Sequence, residues 1–215
     1  MPSSRRNAHT LSLFSLLFAS YVAAQDECRI THQGNKYDLT SIAGDHFVTR
    51  TRETPPSFMV DDVHFNLCGD LHQLDGVEPN DQCPSGISAC LTTTNRKGDQ
   101  PDRVVAVVPL AQFSEAEYET LSDPKGLAIT RQGASYPTSP DPVTQSFRIS
   151  LFCATETSPP SFKSYDGTRV EVEWTTTAGC LFKEGPGDDS DGGEKGEKGD
   201  SDESVGSGLG WFFLV

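Results

Sequence analysis

The chain has no Asn-x-Ser/Thr sequon, no Cys-x-x-Cys pair and no Gly-x-Ser-x-Gly elbow, and its 215 residues include only two Trp and two Met. The first absence removes standard N-glycosylation, the second removes the tightest zinc knuckles, and the third removes the hydrolase nucleophile turn. Positive charge is also scarce, with 17 Lys and Arg against 31 Asp and Glu and a formal net charge of -14. So acidic a chain is a poor partner for nucleic acid. No apolar run reaches the roughly 20 residues that a membrane-spanning helix needs.

What is present begins with a leader. Arg5 and Arg6 precede Leu11-Ser-Leu-Phe-Ser-Leu-Leu-Phe-Ala19 and then Val22-Ala-Ala24, the three zones of a secretory signal peptide. Residues 1–24 are therefore expected to be removed, which takes away two positive charges and moves the formal charge from -14 to -14 − 2 = -16. An even set of six cysteines follows, Cys28, Cys68, Cys83, Cys90, Cys153 and Cys180. In an oxidising lumen such a set reads as disulfides.

Residues 25–182 have the length of one domain with its own core. After it comes an acidic, Gly-rich linker over 183–207, where Glu184 to Glu203 holds nine carboxylates, two lysines and six glycines with no aliphatic or aromatic side chain. That composition buries too little apolar surface to offset its ordering entropy. Its three Gly-led triplets from Gly193 are too few, and lack the proline, to hold a collagen helix. The chain then reads Gly208-Leu-Gly-Trp-Phe-Phe-Leu-Val215, as a span with an interfacial Trp begins. Residues 208–215 are read as the start of a truncated transmembrane helix, the protein being secreted if it ends at Val215.

Within the domain, β-branched and alternating runs mark strands at 37–42, 58–68, 103–110, 127–130, 147–152 and 170–174, separated by Pro and Gly breakers. One helix is expected over 114–121, where Ser114 and Glu117 form a capping box. The fold class is all-β, a disulfide-stapled flattened barrel or sandwich. Six thiols allow 15 pairings. Their placement at strand ends and around one turn predicts Cys28–Cys68, Cys83–Cys90 and Cys153–Cys180, the last closing a final hairpin that carries Trp174.

Reactive groupings are sparse. His64, Cys68 and His72 would share a face only on a helix, whereas the segment reads as a strand, so no metal is assigned. Asp61-Asp62 with Asp45 reads as chance pairing in surface loops, and Arg103 as a solvated strand start. The chain is read as not an enzyme, and no cofactor is assigned.

Several strings are recognisable by their order. Phe65-Asn-Leu-Cys68, Cys153, and Trp174-Thr-Thr-Thr-Ala-Gly-Cys180 resemble the mannose 6-phosphate receptor homology domain. Thr51-Arg-Glu-Thr-Pro-Pro56, Asn80-Asp-Gln-Cys-Pro-Ser-Gly86, Asn95-Arg-Lys97 with Asp102-Arg-Val-Val-Ala106, and Gly208-Leu-Gly-Trp-Phe-Phe213 are similar to the fungal autophagy-related protein 27 family. The resemblance implies a non-enzymatic, single-pass type I membrane protein of the Golgi, endosome, vesicle and vacuole system. Such a protein supports the cycling of a multispanning autophagy membrane protein to the phagophore assembly site, with this domain luminal and membrane proteins of that pathway as partners. The alternative is a mannose-type lectin or cargo receptor of the secretory pathway.

Lectins of the receptor class hold mannose with a Gln, Arg, Glu, Tyr quartet, and the resemblance assigns the matching positions. The Tyr position falls at Val170, the Glu position at Tyr165, the Arg position at Gln145 or Ser146, and the Gln position at Gln82 or Gln73; Thr168 stands where an additional cysteine is usual. Three of four polar groups are then missing, at a cost of about 1 to 3 kcal/mol each. A degenerate sugar site is expected and glycan binding is not. Phosphoinositide binding, attributed to the family, matches a luminal acidic domain poorly.

Overall fold

A computed structural model describes residues 28–114 and 116–182. The expected signal peptide, acidic linker and apolar end all lie outside the described residues. Strands β1 (Arg29–His32) and β2 (Asn35–Asp38) form a small hairpin. Its turn, Gln33-Gly34, has φ of 52° and 77°, the doubly positive geometry whose twist suits a two-residue hairpin.

The next four strands are ten residues each: β3 (Asp45–Thr54), β4 (Ser57–Asn66), β5 (Ile87–Arg96) and β6 (Arg103–Gln112). They pair antiparallel in the order β3-β4-β5-β6. A second sheet contains β7 (Ala116–Ser122), β8 (Lys125–Tyr136), β9 (Val143–Cys153), β10 (Ser161–Tyr165) and β11 (Arg169–Thr176), in the order β10-β11-β9-β8-β7. Alternate residues of both sheets meet in one core, where Val63, Phe65, Leu91 and Leu110 pack with Ile129, Ile149, Leu151, Val172 and Trp174. Each large apolar side chain so buried contributes about 1.5 to 3 kcal/mol. The architecture is a β sandwich whose sheets do not close into a barrel.

Aromatic rings mark the middle of this core. Phe65 lies 5.3 Å from Phe147 and 6.1 Å from Trp174, and His46 meets the Trp174 ring edge-on at 4.6 Å. The Trp174 indole N–H donates to the Ser158 carbonyl, so its one polar atom is satisfied in a buried setting. Where β8 crosses beneath β6, Gly133 lies against the Leu110 carbonyl so closely that any β-carbon would collide with backbone.

The cysteines pair as Cys28–Cys68, Cys83–Cys90 and Cys153–Cys180, with Cα–Cα separations of 4.9, 6.2 and 4.4 Å. Each closure contributes about 2 to 4 kcal/mol, chiefly by restricting the unfolded chain.

Two expectations are corrected. Residues 116–122 form an edge strand, not a helix, pairing from Ala116↔Arg131 to Ser122↔Lys125. Tyr118 packs against the core there, and strand pairing outweighs a local capping preference worth about 1 kcal/mol. The last disulfide also does not staple a hairpin. Strand β11 runs parallel to β9, from Arg169↔Ser146 to Thr176↔Cys153, because β10 passes one place beyond and β11 returns into the gap.

Candidate functional site

Three polar places stand out from the apolar framework, and the first contains most of the positions matched to the sugar quartet. Gln145 on β9 is fully buried. Its amide nitrogen donates to the carbonyls of Tyr136, Val143 and Gly167 at 3.1 to 3.3 Å, and its amide oxygen accepts from the Tyr165 hydroxyl at 3.0 Å. Burial first of all, with nearby acidic groups, pushes the Tyr165 phenol up, so it stays a neutral donor. Val170, opposite Tyr165 in the ladder, is fully buried in the core. Thr168 belongs to the β10–β11 turn, where the Asp166 carboxylate accepts from the Thr168 N–H and hydroxyl and the Arg169 N–H, each at 2.7 Å. These bonds, led by the one from Arg169, hold Asp166 down to about 2. The Gln145 amide is therefore spent on backbone carbonyls and one phenol, leaving it no N–H for a ligand hydroxyl.

Gln82 and Gln73 lie in a different network. Both belong to the loop that joins β4 to β5. Gln82 accepts from the Leu74 N–H at 2.8 Å and donates to the Val77 carbonyl at 2.9 Å, while Gln73 donates to the Cys83 carbonyl at 3.0 Å. The loop is pinned by Cys83–Cys90 and packs Leu71, Ile87 and the half-buried Val107 into a satellite core.

Between this loop and the sheet lies a cleft of about 470 Å³. Its polar wall is organised by Asp45 at the start of β3. One carboxylate oxygen accepts from His64 Nε2, His72 Nδ1 and the His72 backbone N–H, each at 3.1 Å, while the other accepts from the Asn66 amide at 3.1 Å. Burial pushes the Asp45 carboxyl up, but the bonds from His72 and His64 outweigh it and hold the group below the usual carboxylate range. Burial pulls the His64 imidazole down, and Asp45 offsets only part of that shift. Phe47, 52% exposed, stacks on the His64 ring at 4.1 Å. Cys68 is committed to its disulfide with Cys28, so it does not join His64 and His72 as a ligand. Among the described residues, no group of three His, Cys, Asp or Glu side chains has metal-holding geometry.

The third place was missed by sequence reasoning. Asp61 and Asp62 are not a surface-loop pair: both lie on β4, and Asp61 is 1% exposed. The Asp61 carboxylate accepts from Arg50 at 2.7 and 3.2 Å, from Arg52 at 2.8 and 3.1 Å, and from the Thr93 hydroxyl at 2.9 Å. Burial raises its carboxyl, and the two guanidinium groups and Thr93 overcome this to leave it below its ordinary value. The Arg50 guanidinium also lies 4.2 Å above the Phe162 ring, tying β3 to β10 across the sandwich. The available signal was register: a Pro55-Pro56 turn places Arg50 opposite Asp61 in the hairpin.

Among the described residues no helix is long and apolar enough to cross a membrane. Comparison with known proteins then supplies kinship. Residues 10–215 match the family model described as "Autophagy-related protein 27". The chain is 27% identical over 180 residues to autophagy-related protein 27 of Scheffersomyces stipitis, covering 79% of this chain and 62% of that protein. It is 25% identical over 171 residues to the Candida albicans protein of that name, covering 79% and 63%. With the Yarrowia lipolytica protein the identity is 22% over 169 residues, covering 76% and 60%. The chain thus spans about three fifths of the length of the curated relatives it matches, and on the match over 10–215 it belongs to the autophagy-related protein 27 family.

Proposed function

We propose that this chain is the luminal part of a non-enzymatic, single-pass type I membrane protein of the Golgi, endosome and vacuole system. In this reading it supports the cycling of a multispanning autophagy membrane protein to the phagophore assembly site. The observation that carries the reading is the family match over 10–215, which runs from the apolar leader through the sandwich and acidic segment to the apolar end. Three disulfides in a β sandwich agree with a lumen, because such bonds persist in oxidising compartments. The consumed Gln145 amide and the apolar Val170 support a scaffold without a mannose site.

The test uses the full-length gene product in its own cells. Deleting the gene is expected to slow delivery of cytosolic protein to the vacuole and to strand the multispanning protein away from the phagophore assembly site. Normal delivery and normal cycling in the deletion would overturn the reading. A glycan array probed with the disulfide-bonded chain tests the competing one: mannose binding abolished by Gln82→Ala would establish a lectin.

A further inference from the structure

Two loops of the second sheet share a mix of Ser, Thr, Pro and one carboxylate, yet the fold treats them in opposite ways. The β8–β9 loop reads Pro137-Thr-Ser-Pro-Asp-Pro142, and the β9–β10 loop reads Ala154-Thr-Glu-Thr-Ser-Pro-Pro160. In the β9–β10 loop the hydroxyls next to the prolines are used. Thr157 is hydrogen-bonded to the Thr176 hydroxyl at 3.0 Å, and the Ser158 hydroxyl donates to the Pro159 and Thr175 carbonyls. The backbone of this loop is tied to β11 as well, since the Ala154 and Ser158 N–H groups donate to the carbonyls of Thr176 and Thr175.

The β8–β9 loop is held out into solvent instead. Its neck is closed by the buried Gln145, whose amide nitrogen donates to the carbonyls of Tyr136 and Val143, the residues on either side of the loop. Every residue from 137 to 144 is exposed. Among the described residues, the hydroxyls of Thr138 and Ser139 have no hydrogen-bond partner. Three prolines in the six residues 137–142 withhold N–H donors and keep the segment out of any strand ladder. A closed neck under an open tip with unused hydroxyls is a form that a transferase can take into its active site. Surface Ser and Thr among prolines are also the composition of O-glycosylated segments.

We propose that the tip of the β8–β9 loop is a site of O-linked glycosylation, with Thr138 and Ser139 as the acceptors of a neutral hexose from a glycosyl phosphate donor. The Oγ of either residue bonds to the anomeric carbon of the sugar while the bond from that carbon to the phosphate oxygen breaks. The phosphate leaves with the electron pair, and the hydroxyl proton passes to a base of the transferase, as an alcohol nucleophile requires. Charge favours sugar over phosphate here. Only Pro140 separates Ser139 from Asp141, so a phosphate would meet a like charge on a chain whose formal charge is already -14. A bulky sugar also covers a loop tip of the kind that proteases prefer. The inference rests on the luminal reading proposed above, because glycosyl transfer of this kind needs a domain inside the secretory pathway.

The test is a tryptic mass map of the full-length gene product purified from its own cells and reduced. Expected are hexose increments on the fragment 132–148, localised by electron-transfer fragmentation to Thr138 and Ser139, and none on Thr157 or Ser158 in the fragment 149–163. The double variant Thr138→Ala, Ser139→Ala should lose those increments with an unchanged thermal midpoint. The same map reads the luminal premise separately, because removal of the leader makes Gln25 the first residue. A bare fragment 132–148 in a chain that starts at Gln25 overturns the proposal alone, and a bare fragment in a chain that still starts at Met1 overturns the luminal reading with it. Sugar on Thr157 and Ser158 as abundant as on the β8–β9 tip, or phosphate in place of sugar on Thr138 or Ser139, would also overturn the proposal.

Discussion

Asp45 and Asp61 are carboxylates on neighbouring strands of one sheet, and each is saturated with donors, yet they are held in unlike ways. Asp61 is clamped by Arg50 and Arg52, whose charge persists at every pH a protein meets. Asp45 is bound by His64, His72 and Asn66, and burial holds the His64 imidazole below its ordinary value. The inward carboxylate therefore clamps β3, β4 and β5 of one sheet permanently, and only its Arg50 partner reaches the other sheet, over the Phe162 ring. The outward one ties the β4–β5 loop to the sheet through His72, and on the same oxygen it holds His64, the imidazole whose protonation differs between folded and unfolded chain. The partner's chemistry, more than burial of the acid, separates a fixed joint from a conditional one.

The largest effect that would test this contrast comes from Asp61→Ala. It leaves two guanidinium groups without their buried counter-charge, and it is expected to cost about 3 kcal/mol, read from the urea midpoint of the disulfide-bonded chain. Asp45→Ala should cost less, about 1 to 2 kcal/mol for the orphaned donors, with amide exchange rising in 70–82 and not in β10. Equal costs for the two variants would break the comparison. Gln145→Ala falls between them at about 2 kcal/mol, because three carbonyls and the Tyr165 hydroxyl lose a partner.

Acidity sharpens the comparison further. The His64 pKa lies below 6.5 in the fold, so the unfolded chain binds more protons as pH falls through that value, and stability is lost. The Asp45 and Asp61 carboxyls also lie below their ordinary 3.8, and their contributions are full above that value and lost at still lower pH. The urea midpoint is thus expected to fall in two limbs, the first beginning near neutrality. His64→Gln should flatten the first limb and leave the second; an unchanged first limb would sink the assignment. The smallest effect is Phe47→Ala, expected to cost under about 1 kcal/mol, since the ring is half-exposed and its main contact is one stacked imidazole.

Legibility followed the range of the interactions. The β-branched runs at 103–110, 147–152 and 170–174 announced their strands because apolar patterning is local. Strand β3 stayed hidden, since Asp45-His-Phe-Val-Thr-Arg-Thr-Arg-Glu-Thr54 is mostly polar and becomes a strand only through its ladder with β4. The stretch 116–122 misled because its local helical signal was genuine but weaker than pairing with β8. The Asp61 clamp escaped notice because its arginines sit nine and eleven residues away, adjacent only once the hairpin register is known.

By itself the sequence determined the all-β class, the six-cysteine framework and the family resemblance, all properties of composition, spacing and ordered strings. Tertiary structure alone decided that β11 runs parallel to β9, that Gln145 turns inward to satisfy backbone carbonyls, and that β6 ends its sheet. Each depends on which distant strand becomes a neighbour, and that choice is made by burial of the whole core, not by any local run of residues.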